Sequence, residues 1–154
     1  MDVSQIFSKL FVGSYPGDIE DIDQLKRDFG ITAVLNVQTD EDLAYWGINW
    51  GRLECHYHKL GVEIQRAPVR DFDPVDLRRK LPECVKVLDL LLQQGHNVYV
   101  HCSMGINRSP SVAIAYLHWI EQWDLEKAID HVTRSRYCEP YIEAIRLASE
   151  DRIC

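Results

Sequence analysis

The feature that most constrains the fold is a cysteine placed between a short buried strand and a helix. Residues 97–101 are β-branched and aromatic, which favours a strand, and apolar residues recur at helical spacing after Pro110. Pro110 suits the first turn of a helix, where its missing N–H costs nothing. The loop from Cys102 to Arg108 therefore opens a helix, and its amides and the first-turn N–H groups are expected to form an anion-binding concavity.

The side chains of this loop suit the binding of a phosphate group. The helix dipole, the loop amides and a guanidinium favour the thiolate form of Cys102, which makes it the candidate nucleophile. Arg108 offers a planar fork that can bind two phosphate oxygens. We expect Gly105 to let the backbone approach the ligand, His101 to fix the cysteine by hydrogen bonding, and Ser109 to donate to the sulfur. A core cysteine followed by a surface arginine is the alternative, but a cation at a helix N-terminus is unfavourable without an anion.

The His-Cys-x5-Arg-Ser pattern of residues 101–109 resembles the signature of the cysteine-dependent protein tyrosine phosphatase superfamily, and in particular its dual-specificity branch. Further stretches are similar to the glucan phosphatases, dual-specificity enzymes that remove phosphate from starch or glycogen. These stretches are residues 11–14, 42–47, 70–73, 76–78, 81–82, 115–117 and 138–140. The resemblance implies a dual-specificity phosphatase fold over nearly the whole chain.

Hydrophobic periodicity and capping residues predict the order of the elements. Strands are expected at residues 11–14, 31–37, 62–69 and 97–101, and helices at 18–29, 41–46, 76–94, 109–122, 124–136 and 140–150. This alternation predicts an α/β fold with a central, mostly parallel sheet flanked by helices, in which ligands bind at the C-terminal ends of the strands. The chain length suits a single domain, residues 1–154.

A general acid is needed because an alkoxide leaving group departs poorly unless it is protonated. The sequence Arg70-Asp71-Phe72-Asp73-Pro74 lies between a predicted strand and the longest predicted helix, so it can overhang the cleft. The general acid of the family is an aspartate upstream of the cysteine, and the resemblance assigns this role to Asp71, with Asp73 in reserve. Asp76 is expected to be the N-cap of the helix.

The expected reaction has two steps, attack by Cys102 to form a phosphocysteine and then hydrolysis by a water that Asp71 deprotonates. Arg108 and the loop amides would stabilise the equatorial oxygens throughout. No metal and no cofactor is required by this scheme. The expected phosphate-binding residues are Ser103, Met104, Gly105, Ile106, Asn107 and Arg108.

Aromatic residues are the candidate substrate-binding groups. Trp46, Trp50 and Phe72 are expected at loops or helix ends near the cleft, and aromatic rings suit sugar stacking. In the glucan phosphatases, aromatics that match Tyr45, Trp46 and Phe72 line a glucan platform. The alternative is that these rings pack in the core or between helices, which is the interpretation favoured for Trp119.

The loop also departs from the usual glucan-phosphatase pattern, with Met104 in place of an alanine and Asn107 in place of a glycine. The substrate favoured by the resemblance is a phosphorylated α-glucan. A protein tyrosine, serine or threonine phosphatase and a non-catalytic scaffold that binds phosphoglucan or a phosphoprotein are the alternatives.

Charge and apolar patterning exclude other classes of partner. The net charge of −7 disfavours nucleic acid, and the longest apolar stretches are too short and too charged to cross a membrane. The N-terminus has no signal-peptide pattern, so the cytosol is expected, or an organelle if a targeting peptide has been removed.

The cysteines and histidines are the candidate disulfide partners and metal ligands of the chain. Five cysteines without paired short spacings argue against a disulfide framework and a zinc site. A protective disulfide between Cys102 and Cys84 or another cysteine requires that the fold bring the two sulfur atoms together. His56 and His58 form an isolated His-x-His pair, interpreted as a polar strand or loop, with a metal site as the alternative.

Overall fold

The computed structural model describes residues 1–153. The strands are β1 (Val3–Phe7), β2 (Leu10–Gly13), β3 (Ala33–Asn36), β4 (Glu63–Arg66) and β5 (Val98–His101). The helices are α1 (Ile19–Phe29), α2 (Asp40–Tyr45), α3 (Trp50–Lys59), α4 (Pro74–Gln93), α5 (Arg108–Trp119), α6 (Leu125–Ser135) and α7 (Ile142–Asp151).

The five strands form one sheet in the order β1-β2-β5-β3-β4. Only the β1–β2 pair is antiparallel, so the sheet is mostly parallel, and the predicted fold class is confirmed. Strand β5 lies in the middle, and its last residue, His101, pairs with Gly13 of β2 and Asn36 of β3. Three parallel strands therefore end beside the loop that follows β5.

Side chains of the central strands alternate between two hydrophobic clusters, as the two-residue period of a strand requires. Val98 and Val100 pack with helices α4 to α7 on one face, and Tyr99 packs with α1 and α3 on the other. Helix α5 is buried along nearly its whole length, from Arg108 to Leu117. The sheet and α5 thus hold the loop between them from two sides.

Two elements were not predicted. Strand β1 is a half-exposed edge strand, visible only through its pairing with β2. The strand-or-loop interpretation of His56 and His58 is wrong, because both lie in α3, whose Leu53 and Tyr57 are one helical turn apart and buried in the core. The other residues of α3 are mostly polar, so these two apolar residues are too few to predict a helix from the sequence.

Helix α4 begins earlier than predicted, and the assignment of Asp76 as its N-cap is wrong. The cap is Asp73, whose carboxylate accepts the N–H of Asp76 at 2.9 Å. Pro74 is favoured at the first helical position, which makes the residue before it the cap. Asp76 instead accepts the N–H of Arg70 at 2.8 Å, and so ties the start of the preceding loop, residues 70–73, to the helix.

Residues 1–153 contain no candidate membrane span, no cluster of metal ligands and no disulfide. Within this range no helix has the length and hydropathy to cross a bilayer, and no three His, Cys, Asp or Glu side chains are grouped as metal ligands. Cys55, Cys84, Cys102 and Cys138 are free thiols, whereas Cys154 lies outside the described residues. Burial raises the pKa of Cys84 to about 12, which makes it a poor thiolate for disulfide formation.

Candidate active site

The cysteine of the loop is buried directly beyond the end of β5. The Sγ atom of Cys102 lies 3.2 Å from the hydroxyl of Ser109, at the start of α5. The Ser109 hydroxyl also lies 3.4 Å from the carbonyl oxygen of Gly13 at the end of β2. The predicted contact between Ser109 and the sulfur is therefore present.

His101 forms a hydrogen bond with the backbone of the cysteine. Its Nδ1 lies 3.0 Å from the carbonyl oxygen of Cys102, and since a carbonyl only accepts, the imidazole donates. Burial lowers the pKa of His101 to about 4, against the opposing effect of this hydrogen bond. The ring is thus neutral at physiological pH and acts as a fixed donor to the backbone of the loop.

The buried histidine predicts a loss of stability at mildly acidic pH. Because the pKa of His101 is lower in the folded protein than its ordinary 6.5, only the unfolded chain takes up this proton as the pH falls toward 4. We expect this to reduce the free energy of unfolding by up to about 3 kcal/mol between pH 6.5 and 4. Stability at higher pH is unaffected by this group.

Urea unfolding at pH 7, 6, 5 and 4.5 measures this effect. His101→Asn keeps a donor but cannot titrate, so its stability should vary less with pH than that of the wild type. The lowered pKa values of Asp42 and Asp76 affect stability only at still lower pH. Parallel curves for the variant and the wild type would contradict the prediction.

Arg108 lines the cleft, and its three guanidinium nitrogens differ in how fully they are bonded to protein. Nη1 donates to Asp42 at 2.6 Å and to the carbonyl oxygen of Val69 at 2.8 Å. Nη2 lies 3.3 Å from Asp71 and 3.4 Å from the hydroxyl of Ser103. Nε is buried and has no hydrogen-bond partner among residues 1–153. The Nη2–Nε edge carries only these two longer contacts and one unpartnered nitrogen, so it is the edge that a bidentate anion can take.

Asp42 is a site residue that the sequence reasoning missed. It lies in the first turn of α2 and forms a capping box with Thr39, in which each residue bonds the backbone N–H of the other. Burial raises the pKa of Asp42, but hydrogen bonds from Arg108 and Thr39 outweigh it, and the net pKa is lowered. The Thr39-x-x-Asp42 pattern signals a helix start, whereas its contact with an arginine far along the chain is visible only in three dimensions.

Asp71 and Asp73, the two candidate general acids, make different contacts. Asp71 lines the same cavity as Cys102, and its carboxylate lies 3.3 Å from Nη2 of Arg108, whereas the carboxylate of Asp73 caps α4. Between them, Phe72 has a positive φ of 56° and a side chain that is 86% exposed. The geometry favours Asp71 over Asp73.

Two adjoining cavities meet at this site. The smaller, of about 250 Å³, is lined by Asp71, Phe72, Cys102, Met104, Ile106, Asn107, Arg108 and Glu139. The larger, of about 470 Å³, is lined by Glu41, Asp42, Tyr45, Trp46, Asp71, Phe72, Ser103 and Met104. The predicted nucleophile, arginine and acid therefore share one cavity, and the three predicted aromatics line its neighbour.

The rings beside the cleft are exposed, whereas other aromatics are packed. Tyr45 is 80% exposed, and Trp46 lies between it and Tyr15, with ring centroids at 4.9 and 5.2 Å. Trp50 lines neither cavity and packs instead against Tyr57 in the core, so its expected position near the cleft is wrong. Trp119 donates from Nε1 to Ser149 at 2.9 Å, in keeping with a helix-packing role.

The two departures in the loop have different structural consequences. Met104 is 52% exposed and lines both cavities, so it adds an apolar wall between them. Asn107 has a φ of −121°, which any residue adopts, and its side-chain amide donates to the carbonyl oxygen of Glu139 at 2.8 Å. The backbone at Asn107 therefore does not require glycine.

A buried thiol, an arginine with an unpartnered Nε and an aspartate, gathered where a parallel strand leads into a helix, define the class of cysteine-dependent phosphatases. The family model described as "Dual specificity phosphatase, catalytic domain" matches residues 10–144. The chain belongs to this family, as its signature loop predicted.

Individual proteins show the same relationship. "Phosphoglucan phosphatase LSF1, chloroplastic" from Arabidopsis thaliana is 39% identical over 99% of this chain, and "Phosphoglucan phosphatase DSP4, amyloplastic" from Castanea sativa is 37% identical over 92% of it. The chain spans only 26% and 38% of the length of these relatives. The crystal structure of PTPMT1 in complex with PI(5)P shares the fold, with a TM-score of 0.80, 22% identity, and coverage of 96% of this chain and 92% of that one.

Proposed function

We propose that the protein is a phosphatase that hydrolyses phosphate monoesters on α-glucan through a phosphocysteine intermediate, with residues 1–154 acting as one catalytic domain. The observation that carries this proposal is the shared cavity. The smaller cavity is lined by Cys102, Arg108 and Asp71, and exposed aromatic rings line the larger cavity beside it. A phosphate over the thiol thus leaves the attached sugar against aromatic surface.

In the first step, the Cys102 thiolate attacks phosphorus in line with the leaving oxygen. An S–P bond forms and the P–O bond to the sugar breaks, while Asp71 transfers its proton to the departing oxygen. The Nη2–Nε edge of Arg108 and the loop amides hold the equatorial oxygens as charge redistributes. The dephosphorylated sugar leaves, and the cysteine carries the phosphoryl group.

In the second step, water attacks the phosphocysteine. Asp71, now a carboxylate, takes a proton from the water as the O–P bond forms, and the S–P bond breaks. The hydroxyl of Ser109, 3.2 Å from Sγ, donates a hydrogen bond to the departing thiolate. Inorganic phosphate leaves, and the protonated acid and the thiolate are ready for another cycle.

The glucan substrate is supported by two independent features. LSF1 and DSP4 are both named phosphoglucan phosphatases and match nearly the whole of this chain. Tyr45, Trp46 and Phe72 present exposed rings beside the phosphate site, where they can stack on sugar faces. The names of these relatives also favour a plastid over the cytosol as the compartment.

The proposal is tested by measuring three phosphorylated substrates with the same protein. Phosphate release is measured from solubilised phosphoglucan, from phosphopeptides and from soluble PI(5)P, with Cys102→Ser as the blank. We expect kcat/KM for phosphoglucan to exceed the other two by at least about tenfold. Faster release from phosphopeptides would indicate a protein phosphatase, and glucan binding without any turnover would indicate a scaffold.

The role of Asp71 predicts a dependence on the leaving group. Asp71→Asn is expected to lower kcat about 100-fold for phosphoglucan, whose alkoxide needs the proton. For para-nitrophenyl phosphate, whose phenolate leaves readily, the loss should be much smaller. Asp73→Asn is the matched control, since asparagine keeps the oxygen that caps α4, and both the stability and the leaving-group dependence of this variant should stay near those of the wild type. Equal losses for both substrates with Asp71→Asn would contradict the assignment.

The aromatic platform predicts selective effects on the polymer. Trp46→Ala and Phe72→Ala are each expected to lower kcat/KM for phosphoglucan about 5- to 10-fold, because a stacking surface is lost. The decrease should be larger than that for para-nitrophenyl phosphate, which has no sugar. Leu90→Ala, which removes an exposed apolar side chain on α4, serves as the control. Glucan rates at the wild-type level in both ring variants would remove the platform from the proposal.

A further inference from the structure

A second arginine, Arg136, is buried behind the phosphate-binding loop. It lies directly after α6, is only 8% exposed and uses all three of its nitrogens. Nε donates to the carbonyl oxygen of Gly105 at 2.9 Å, and Nη1 donates to the carbonyl oxygen of Val12 and the hydroxyl of Ser4, both at 3.1 Å. Nη2 pairs with Asp2 at 2.8 Å. A buried cation is costly unless it is fully bonded, and this one is.

The bond from Arg136 reaches the middle of the loop at a point with no spare room. Gly105 has a φ of 72°, and a Cβ there would lie 2.6 Å from the backbone of Gly13 and 2.7 Å from Nη2 of Arg136. The loop is thus packed between the end of β2 and the guanidinium. Glycine is required here by this packing as well as by its conformation.

The same segment holds the next residues of the loop. The backbone N–H of Glu139 donates to the carbonyl oxygen of Ile106 at 2.7 Å, and the amide of Asn107 donates to the carbonyl oxygen of Glu139 at 2.8 Å. Together with Arg136, these bonds fix two consecutive loop carbonyls, those of Gly105 and Ile106, toward the segment 136–139. We call this set of contacts the loop brace.

The direction of these carbonyls determines the direction of the amides. In a trans peptide the N–H points opposite to the C=O of the same unit, and the chain contains no cis peptide bond in residues 1–153. The N–H groups of Ile106 and Asn107 share peptide units with the two braced carbonyls. They therefore point away from the brace, which is the direction required for the phosphate cradle.

We propose that Arg136 is a positioning residue for phosphate binding, which acts by holding the Gly105 carbonyl outward so that the loop amides are set for the anion before it arrives. This inference rests on the proposed function of the loop as a phosphate site. Arg136 does not touch the phosphate itself. Its influence passes through the backbone of Gly105 and Ile106.

The test measures the binding of inorganic phosphate by titration calorimetry, which needs no turnover, beside kcat and KM for para-nitrophenyl phosphate. Arg136→Met is expected to weaken phosphate binding about 10- to 100-fold, because the loop amides lose their preset direction. Arg136→Lys, which keeps the charge and one donor group, should recover part of this loss. Arg134→Met is the control, since Arg134 is exposed on α6 and, within residues 1–153, forms an ion pair only with Asp130.

The outcomes separate positioning from simple stabilisation. Circular dichroism and thermal unfolding show whether each variant is folded at the assay temperature. Arg136→Met protein that is folded and binds phosphate within about twofold of the wild type would overturn the proposal, even if its Tm falls. If Arg136→Met does not fold, Arg136→Lys decides. Wild-type protein that binds phosphate but does not turn over would contradict the proposed function and leave this test intact.

Discussion

Cys102→Ser is expected to lower kcat by about 10⁴-fold or more, for every substrate, because an alcohol is barely ionised at neutral pH and is a far weaker nucleophile than a thiolate. Serine is close in size to cysteine, so the buried position beside Ser109 should accept it without disturbing the loop. Phosphoglucan should still bind. The variant therefore separates binding from chemistry.

Phosphate release and glucan co-sedimentation, measured on the same preparations, check this result. Cys55→Ser is the matched control, because Cys55 is an exposed cysteine on α3 away from both cavities. Its rates should equal those of the wild type. Activity above about one percent in Cys102→Ser would mean that another group attacks phosphorus, and the two-step scheme would have to be abandoned.

The second large effect is expected for Arg108→Lys, with a decrease in kcat/KM of about 10³-fold. Lysine keeps the positive charge but has a single nitrogen, so it cannot bond Asp42 and Val69 on one edge and two phosphate oxygens on the other. The loss should appear in kcat as well as KM, since the bidentate contact is strongest in the transition state.

Steady-state kinetics and inorganic phosphate inhibition measure the effect of Arg108→Lys. The exposed Arg52, which pairs with Asp18 on the surface, provides the control variant Arg52→Lys, and its rates should not change. A loss of less than tenfold in Arg108→Lys would show that charge alone is enough. The proposal that phosphate binds the Nη2–Nε edge of Arg108 would then fail.

The strong local signals in the sequence predicted most of the fold. Asp18 and Gly30 bound α1 as expected, the first accepting an N–H and the second adopting a left-handed conformation with a φ of 65°. Signals of this kind depend on a few adjacent residues, so they survive without tertiary information. Helix α3 and strand β1 were missed because their amphipathic patterns are short and weak, and each is stabilised mainly by its neighbours.

Errors at the site arose where one residue type has several uses. Three aspartates follow one another closely at positions 71, 73 and 76, and each could have been a cap or an acid. Pro74 decided the cap, since it takes the first helical position and leaves Asp73 to cap the helix. Trp50 was expected near the cleft because of its position at a helix end; it does begin α3, but its partly buried ring packs against Tyr57 and lines neither cavity.

By itself, the sequence determined the chemistry of the loop, because His101, Cys102, Arg108 and Ser109 act through spacing within one strand-loop-helix unit. Only the tertiary structure decided what holds that loop in place. Asp42 orients one edge of the arginine, and Arg136 fixes the back of the loop, although both are distant in sequence. Such contacts arise when separate elements pack around a common sheet. The sequence around each residue therefore does not show which distant residue it will contact.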